Sequence, residues 1–211
     1  MRGALLAAGI CGLGLLAVAT GCAGRRGELT DVADDLATVG VYRGRVESSA
    51  GEARRFRLML YVSRPDRMHG EILGPLGGPQ LIVDGGGGQL AVTWVRDRVA
   101  YVGQARPEIV RRVFGLSLSM EELVGAVLDG VLDDPSYTVV RSDEAAGSLP
   151  SSIEIHSDEI ELRMNLRRMR ALDKGASELG RGTPPPGMEV RPIEELESAD
   201  DGAILELGEA A

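Results

Sequence analysis

Strict alternation of apolar and polar side chains is the feature that most limits how this chain can fold. It is clearest over residues 159–166 (EIELRMNL), and it recurs over 42–47 and 55–62 and, more briefly, over 68–72 and 90–94. Successive side chains of a strand point to opposite faces of a sheet, so this pattern is typical of antiparallel strands with one buried face. The sequence therefore predicts one antiparallel sheet of about eight to ten strands.

Three segments depart from this alternation and carry apolar residues at helical spacing. The first covers residues 28–37 and is expected to end at Gly40, and a second short helix opens at Pro107 and closes before Gly115. The third begins with the capping box Ser119-Met120-Glu121-Glu122 and is predicted to run to about Leu132, with Val127 and Val131 on its apolar stripe. A stripe of this kind laid on a sheet face encloses either a packed core or a cavity, and the sequence alone does not decide between them.

Two glycine-rich segments predict turns between strands. Residues 85–88 are four consecutive glycines without the Lys and the following helix of a phosphate loop, so they predict a hairpin turn. Residues 72–79 (ILGPLGGP) predict a loop, because Pro removes a ladder hydrogen bond and Gly favours turns. Leu76 at the middle of this loop has two possible positions, packed beneath the loop or exposed to solvent.

The N-terminal segment has the order of features found in exported bacterial proteins. Arg2 supplies a basic start, and residues 4–19 form an apolar run that is short and Gly-rich for a membrane span. The run ends in Ala19-Thr20-Gly21-Cys22, which resembles the lipobox of bacterial lipoproteins. That resemblance implies cleavage before Cys22 and acylation of Cys22, which gives a lasting anchor at roughly 0.8 kcal/mol per buried methylene. The alternative is an ordinary signal peptide in which Cys22 is incidental.

These features divide the chain into four predicted segments. They are a lipoprotein signal peptide (1–21), a tether after the lipidated Cys (22–27), a folded domain (28–172) and an acidic, Pro-containing extension (173–211) that is expected to be partly disordered. The formal net charge is -9, and the extension holds ten acidic and three basic residues. Residues 188–193 within the extension are compatible with an edge strand.

Candidate catalytic and metal-binding residues are few. Cys11 and Cys22 both lie in the N-terminal segment, so the rest of the chain offers no disulfide and no thiol site for a metal. His69 and His156 stand singly on predicted strands and are expected at the surface. The sequence has no G-x-S-x-G elbow, no defensible pair of catalytic carboxylates and no basic cluster interleaved with aromatics. We therefore predict no enzyme activity, no metal, no nucleic-acid partner and no cofactor beyond the acyl anchor on Cys22.

Five short segments, taken in order, resemble one known family. They are Val41 to Arg45, Arg55 to Tyr61, Asp66-Arg67-Met68 with Ile72 to Gly77, Phe114 to Ser119 with Leu123 and Gly130, and Leu149 to Ile153. Together they span about residues 39–172, and they are similar to the LolA/LolB-like superfamily, in particular to the LolB-like outer-membrane lipoprotein receptors. The chain differs from that pattern in its scarce aromatics and its acidic extension, as a divergent member would.

The resemblance implies both a fold and a function. The fold is α+β, mainly β: an incomplete antiparallel β-barrel with helices covering its open side and an apolar cavity for acyl chains. Pro75, Leu76 and Gly77 correspond to the family's membrane-transfer loop, with the Leu exposed. The implied protein is a monomer, lipid-anchored on the periplasmic face of the outer membrane of a Gram-negative bacterium. It accepts acylated lipoproteins from a periplasmic LolA-like carrier and delivers them to the membrane.

Alternation also supplies a candidate cavity lining, since it assigns residues to the face beneath the predicted helices. This set is Phe56, Leu58, Leu60, Ile72, Val92, Trp94 and Val127. A slip of one residue would place the opposite set inside. Two other functions stay open: a lipid- or glycolipid-binding carrier or sensor lipoprotein of the same fold, and a non-enzymatic envelope assembly lipoprotein. The assembly lipoprotein would need no cavity.

Overall fold

A computed structural model of the chain describes residues 36–48, 53–142 and 148–196. Within these ranges it contains ten strands, two α-helices and two short 3₁₀ turns. The strands are β1 (Leu36–Ser48), β2 (Ala53–Ser63), β3 (Arg67–Leu73), β4 (Pro79–Gly86), β5 (Gln89–Trp94), β6 (Val99–Gln104), β7 (Thr138–Arg141), β8 (Ser152–His156), β9 (Ile160–Gly175) and β10 (Glu189–Pro192). The helices are α1 (Pro107–Phe114) and α2 (Met120–Asp129), and the 3₁₀ turns are Ala176–Glu178 and Ile193–Glu195.

All of the described strands belong to one open sheet. Their order is β10-β6-β5-β4-β3-β2-β1-β9-β8-β7, so β10 and β7 form the two edges. The predicted fold class, a mainly β protein built on an incomplete barrel with helices, is confirmed. The expectation of a purely antiparallel sheet is wrong at one edge, because β10 pairs with β6 in the parallel direction.

The two faces of the sheet follow the alternation of the sequence. On the inner face, Tyr42 lies opposite Leu58 and Gly44 lies opposite Phe56. The Phe56 ring covers Gly44 so closely that a Cβ at position 44 would be 2.1 Å from the ring. A side chain at position 44 would therefore force the ring away from β1.

The turn between β4 and β5 is tighter than the sequence predicted. Gly85 and Gly86 belong to β4, and only Gly87 and Gly88 form the turn. Both have positive φ, 61° and 74°, as a two-residue hairpin turn of type I′ requires. Glycine adopts this conformation without the steric cost that a Cβ would bring.

Two helix predictions need correction. Residues 28–35 of the first predicted helix lie outside the described residues, but Leu36 and Ala37 are in β1, and Gly40 pairs with Leu60 rather than ending a helix. The third helix ends at Asp129, not near Leu132, because Gly130 adopts a left-handed conformation and its N–H donates to the Ala126 carbonyl. Val131 consequently leaves the apolar stripe and is 63% exposed.

Both helices pack on the inner face of the sheet. The capping box is confirmed, since the Ser119 hydroxyl accepts from the Glu122 N–H at 3.2 Å and the Glu122 carboxylate accepts from the Ser119 N–H at 2.7 Å. The helices and the sheet share one cluster of buried apolar residues, the inner-face cluster. Its helical members include Ile109, Val110, Val113, Leu123, Val124, Val127 and Leu128. Among the described helices, none is long and apolar enough to cross a membrane.

Part of the acidic extension belongs to the fold. The predicted boundary at residue 172 falls inside β9, which continues to Gly175. The suggested edge strand is confirmed as β10, and Ile193 just beyond it is fully buried in the inner-face cluster. On the outer face, Leu179 packs with Val39, Met59 and Tyr61 in a second, smaller cluster. Residues 197–211, where disorder was expected, lie outside the described residues.

Candidate functional site

All seven residues predicted to line a cavity lie in or against the inner-face cluster. Leu60, Ile72, Val92 and Val127 are at most 8% exposed. The remaining three are only half-buried and pack against the same cluster; they are Phe56, Leu58 and Trp94. The alternation therefore assigned the six strand residues to the correct face of the sheet, and the helical stripe assigned Val127 to the side of α2 that packs on that face. Their role in acyl binding stays a prediction.

Two of the half-buried residues lie in one row across the sheet, beside one of its loops. The cross-strand register runs from Leu58 to Ile72, from Ile72 to Leu81 and from Leu81 to Trp94. The next pair along β3 and β4, Leu73 with Pro79, closes the ladder before the loop of residues 74–78. Partly exposed apolar surface of the inner face therefore lies directly beside this loop.

The loop itself is closed by its own hydrogen bonds. The Gly77 N–H donates to the Gly74 carbonyl at 2.9 Å, which makes Pro75 and Leu76 the two corner residues of a β-turn. The Gly74 N–H in turn donates to the Gly78 carbonyl at 2.8 Å, and the Arg57 guanidinium donates to the Gly74 carbonyl from the neighbouring strand. Leu76 is 103% exposed at the tip. Of the two positions that the sequence allowed for Leu76, the structure has the exposed one.

The inner-face cluster and the loop tip offer apolar surface for contact. Within the described residues, no group of three or more His, Cys, Asp or Glu side chains could hold a metal ion. Leu58 and Trp94 lie in the row beside the loop, and Leu76 is exposed at the loop tip. Cys22, the predicted lipidation site, lies outside the described residues.

His69 is not at the surface, and this prediction was wrong. Its side chain lies on the outer face of β3 and is only 6% exposed. The Nδ1 atom lies 2.8 Å from the Asp84 Oδ2 atom on β4, and the Nε2 atom lies 3.1 Å from the Glu71 Oε1 atom. His156, by contrast, is about one-third exposed and lies 3.4 Å from the Glu154 carboxylate.

The segment after the first 3₁₀ turn covers this buried group. Asp84 accepts backbone N–H donors from Gly180 at 3.0 Å, from Arg181 at 2.7 Å and from Gly182 at 2.7 Å. The Arg67 side chain adds bonds to the carbonyls of Ala176 and Gly180 from beside His69. One carboxylate thus joins β3, β4 and the chain beyond β9. The sequence signal for it was an acidic residue directly after the apolar run Leu81 to Val83.

The charges of this group shift the titration of both partners. Burial lowers the pKa of His69, but the hydrogen bonds and negative charges of Asp84 and Glu71 outweigh burial and raise that pKa from 6.5 to about 9. Burial raises the pKa of Asp84, but the hydrogen bond from His69 and the backbone N–H donors lower it below its usual value. At neutral pH the pair is therefore a buried imidazolium and carboxylate.

We expect the free energy of unfolding to fall as the pH rises from about 6.5 to about 9. The folded state binds the His69 proton more tightly than the unfolded chain, so this stabilisation is complete below the unfolded pKa and is lost above the folded one. A pKa shift of this size corresponds to a change of roughly 3 kcal/mol in the free energy of unfolding. Denaturant titrations at closely spaced pH values measure the slope, and a His69→Gln variant should remove it. An equal slope in that variant would contradict the assignment.

Comparisons with known proteins give partial structural likenesses. No protein-family model matches the chain, and no curated protein matches it. Among solved structures, the chain is similar to one described as an outer membrane lipoprotein-sorting protein domain from Vibrio parahaemolyticus. The two share 10% sequence identity with a TM-score of 0.38, over 64% of this chain and 85% of the other. A likeness at this level assigns no function.

Proposed function

We propose that this chain is an envelope lipoprotein that accepts the acyl chains of other lipoproteins beneath its helices and delivers them to the membrane at Leu76. The observation that carries the proposal is a fully exposed Leu at the tip of a hydrogen-bonded loop beside partly exposed apolar surface. The family resemblance of residues 39–172 agrees with it. The predicted acylation of Cys22 would hold the domain at the membrane where delivery takes place.

The physical need for such a protein follows from the cost of acyl chains in water. Each methylene group moved from an apolar environment into water costs roughly 0.8 kcal/mol, so a diacyl or triacyl anchor does not cross an aqueous space unprotected. A carrier must therefore cover the chains with apolar surface and release them where an apolar layer is close. No covalent step and no nucleotide are required for this transfer.

The inner-face cluster is the surface that would cover the chains. Leu60, Ile72, Val92 and Val127 are almost completely buried beneath the helices, so acyl chains that enter between them displace α1 or α2 from the sheet. Phe56, Leu58 and Trp94 are already partly exposed and would be the first residues that the chains contact. Entry from the side of the 74–78 loop then requires the smallest movement of the helices.

The single Trp of the chain offers a direct test. A protein comprising residues 23–211, which retains every described element, is titrated with a triacylated peptide whose acyl chains carry bromine. We expect saturable quenching of Trp94 fluorescence at a stoichiometry near one, because bromine would lie against the half-buried indole. The same peptide without acyl chains is the control. Absence of quenching by the acylated peptide would contradict the proposal.

A second measurement separates lipoprotein cargo from other lipids. Depleting the protein in its native bacterium should leave other lipoproteins outside the outer membrane when the cells are fractionated. Normal localisation together with quenching by brominated phospholipid would instead support the alternative of a lipid-binding carrier or sensor.

A further inference from the structure

Four arginines face one another on the outer face of the sheet. In the register of β1 and β2, Arg43 lies opposite Arg57 and Arg45 lies opposite Arg55. Side chains opposite each other on antiparallel strands are close enough to interact, and like charges in such pairs are destabilising. We call Arg43, Arg45, Arg55 and Arg57 the arginine patch. It concentrates positive charge in a chain whose formal net charge is -9.

Three of the four arginines of the patch are accessible to a ligand. Arg43 and Arg55 are exposed, and the Arg45 side chain is 51% exposed. Among the described residues, Glu47 supplies an acidic partner to Arg45 at 2.7 Å, and the Arg57 guanidinium binds the carbonyl of Gly74. These contacts leave the patch with an excess of positive charge on the described surface.

The patch is continuous with the loop that carries Leu76. Strands β1 and β3 run in the same direction, since each is antiparallel to β2, and Arg43 and Arg45 lie on the half of β1 that corresponds to the loop end of β3. The bond from Arg57 to Gly74 joins the patch to the base of the loop directly. A planar anionic surface that contacts the arginines would therefore lie within reach of the exposed Leu76.

We propose that the arginine patch binds the anionic phosphate headgroups of a lipid bilayer and so orients the domain with Leu76 toward the apolar layer. The planar guanidinium fork matches phosphate oxygens in a two-point hydrogen bond. An exposed apolar tip flanked by cations is the combination that holds proteins at an anionic interface. The orientation of Leu76 rests on the proposed function, whereas the binding of headgroups needs no cargo.

The test compares binding of the 23–211 protein to vesicles of phosphatidylcholine alone and of phosphatidylcholine with added phosphatidylglycerol. The triple variant Arg43→Gln, Arg45→Gln, Arg55→Gln should bind the anionic vesicles at least about tenfold more weakly, because each basic residue near such a surface adds to the attraction. Its binding to neutral vesicles should be unchanged. Added salt should weaken the binding of the unmodified protein to the anionic vesicles.

A matched variant removes the same charge elsewhere on the molecule. The exposed residues Arg106, directly before α1, and Arg111 and Arg112 on α1 are replaced together by Gln. This variant should bind like the unmodified protein, and circular dichroism of both triple variants should show an intact fold. Equal weakening by the two triple variants would overturn the inference, since only net charge would then matter.

Two further outcomes would also overturn it. Binding that appears only after residues 197–211 are removed would mean that the acidic segment of this chain occupies the patch. Loss of vesicle binding in millimolar inorganic phosphate, at matched ionic strength, would mean a site for the free anion. The quenching of Trp94 by acylated peptide is measured in the same triple variants, so failure of cargo binding and failure of the patch are distinguished.

Discussion

Replacing Asp84 by Ala is expected to lower the free energy of unfolding by about 3–5 kcal/mol. The change leaves the buried His69 imidazolium without the carboxylate that lies 2.8 Å from its Nδ1 atom. It also leaves the backbone N–H groups of Gly180, Arg181 and Gly182 without their acceptor. A buried donor that loses its partner carries the full cost of its desolvation, so the losses accumulate at one site. Chemical denaturation at pH 6 measures the effect.

Asp97 provides the matched control for this experiment. It lies exposed in the turn after β5, and replacing it by Ala should change the free energy of unfolding by less than about 0.5 kcal/mol. The Asp84→Asn variant should fall between the two, because the amide oxygen still accepts from the backbone while the charge is lost. A loss below 1 kcal/mol for Asp84→Ala, with an unchanged denaturant dependence, would contradict the role assigned to this carboxylate.

The same variant tests how the chain beyond β9 is held. Asp84 binds residues 180–182 on the outer face, while Ile193 is fully buried in the inner-face cluster. If the carboxylate holds residues 180–182 in place, the Asp84→Ala change should accelerate hydrogen exchange at the amides of that segment. The acceleration should be greater there than at the amides of β3 and β4. Uniform acceleration throughout the sheet would show instead that the segment and the sheet unfold as one unit.

Alternation in the sequence predicted the inner face well because burial on that face is set by neighbouring strands and by the helices above. The six strand residues of the set, from Phe56 to Trp94, were placed on the correct face. The same pattern says nothing about what covers the opposite face. His69 was therefore expected in solvent, although Asp84 and a segment more than ninety residues away in sequence enclose it. Contacts of that separation have no local signature.

Local backbone geometry and strand pairing also explain why the predicted ends of the first and third helices were wrong. The apolar stripe of α2 continues in sequence to Val131, but the left-handed Gly130 ends the helix at Asp129. Leu36 carries helical spacing with the residues before it, yet it lies in β1 and pairs with Gly175 of β9. The position of Leu76 was open for a similar reason, since bonds within the loop and from Arg57 decide it.

A Leu76→Glu variant is expected to accept acylated cargo normally but to release it into vesicles at least about 100-fold more slowly. Leu76 is completely exposed in the folded protein, so its replacement should leave the free energy of unfolding within about 0.5 kcal/mol of its original value. Burying a Leu side chain in an apolar environment contributes about 1.5–3 kcal/mol, and a carboxylate at that position must also be desolvated. The substitution therefore both removes the favourable burial of the Leu side chain in the acyl layer and adds the cost of desolvating a carboxylate there.

The 23–211 protein is loaded with a triacylated peptide whose fluorophore is quenched while the peptide is bound to the protein. After mixing with vesicles, the rise in fluorescence follows transfer of the peptide to the membrane. Val131→Glu is the matched control, because Val131 is another exposed apolar residue, at 63%, and lies after α2 rather than on the loop. That control should transfer at the original rate, and Leu76→Met should retain most of it because the apolar tip is preserved. Rapid transfer by Leu76→Glu would remove Leu76 from the mechanism, whereas failure of both Leu76→Glu and Val131→Glu would point to general surface hydrophobicity rather than to the loop. A rate that falls only in Leu76→Glu, with Trp94 quenching intact, would separate delivery from acceptance and assign delivery to the tip of the 74–78 loop.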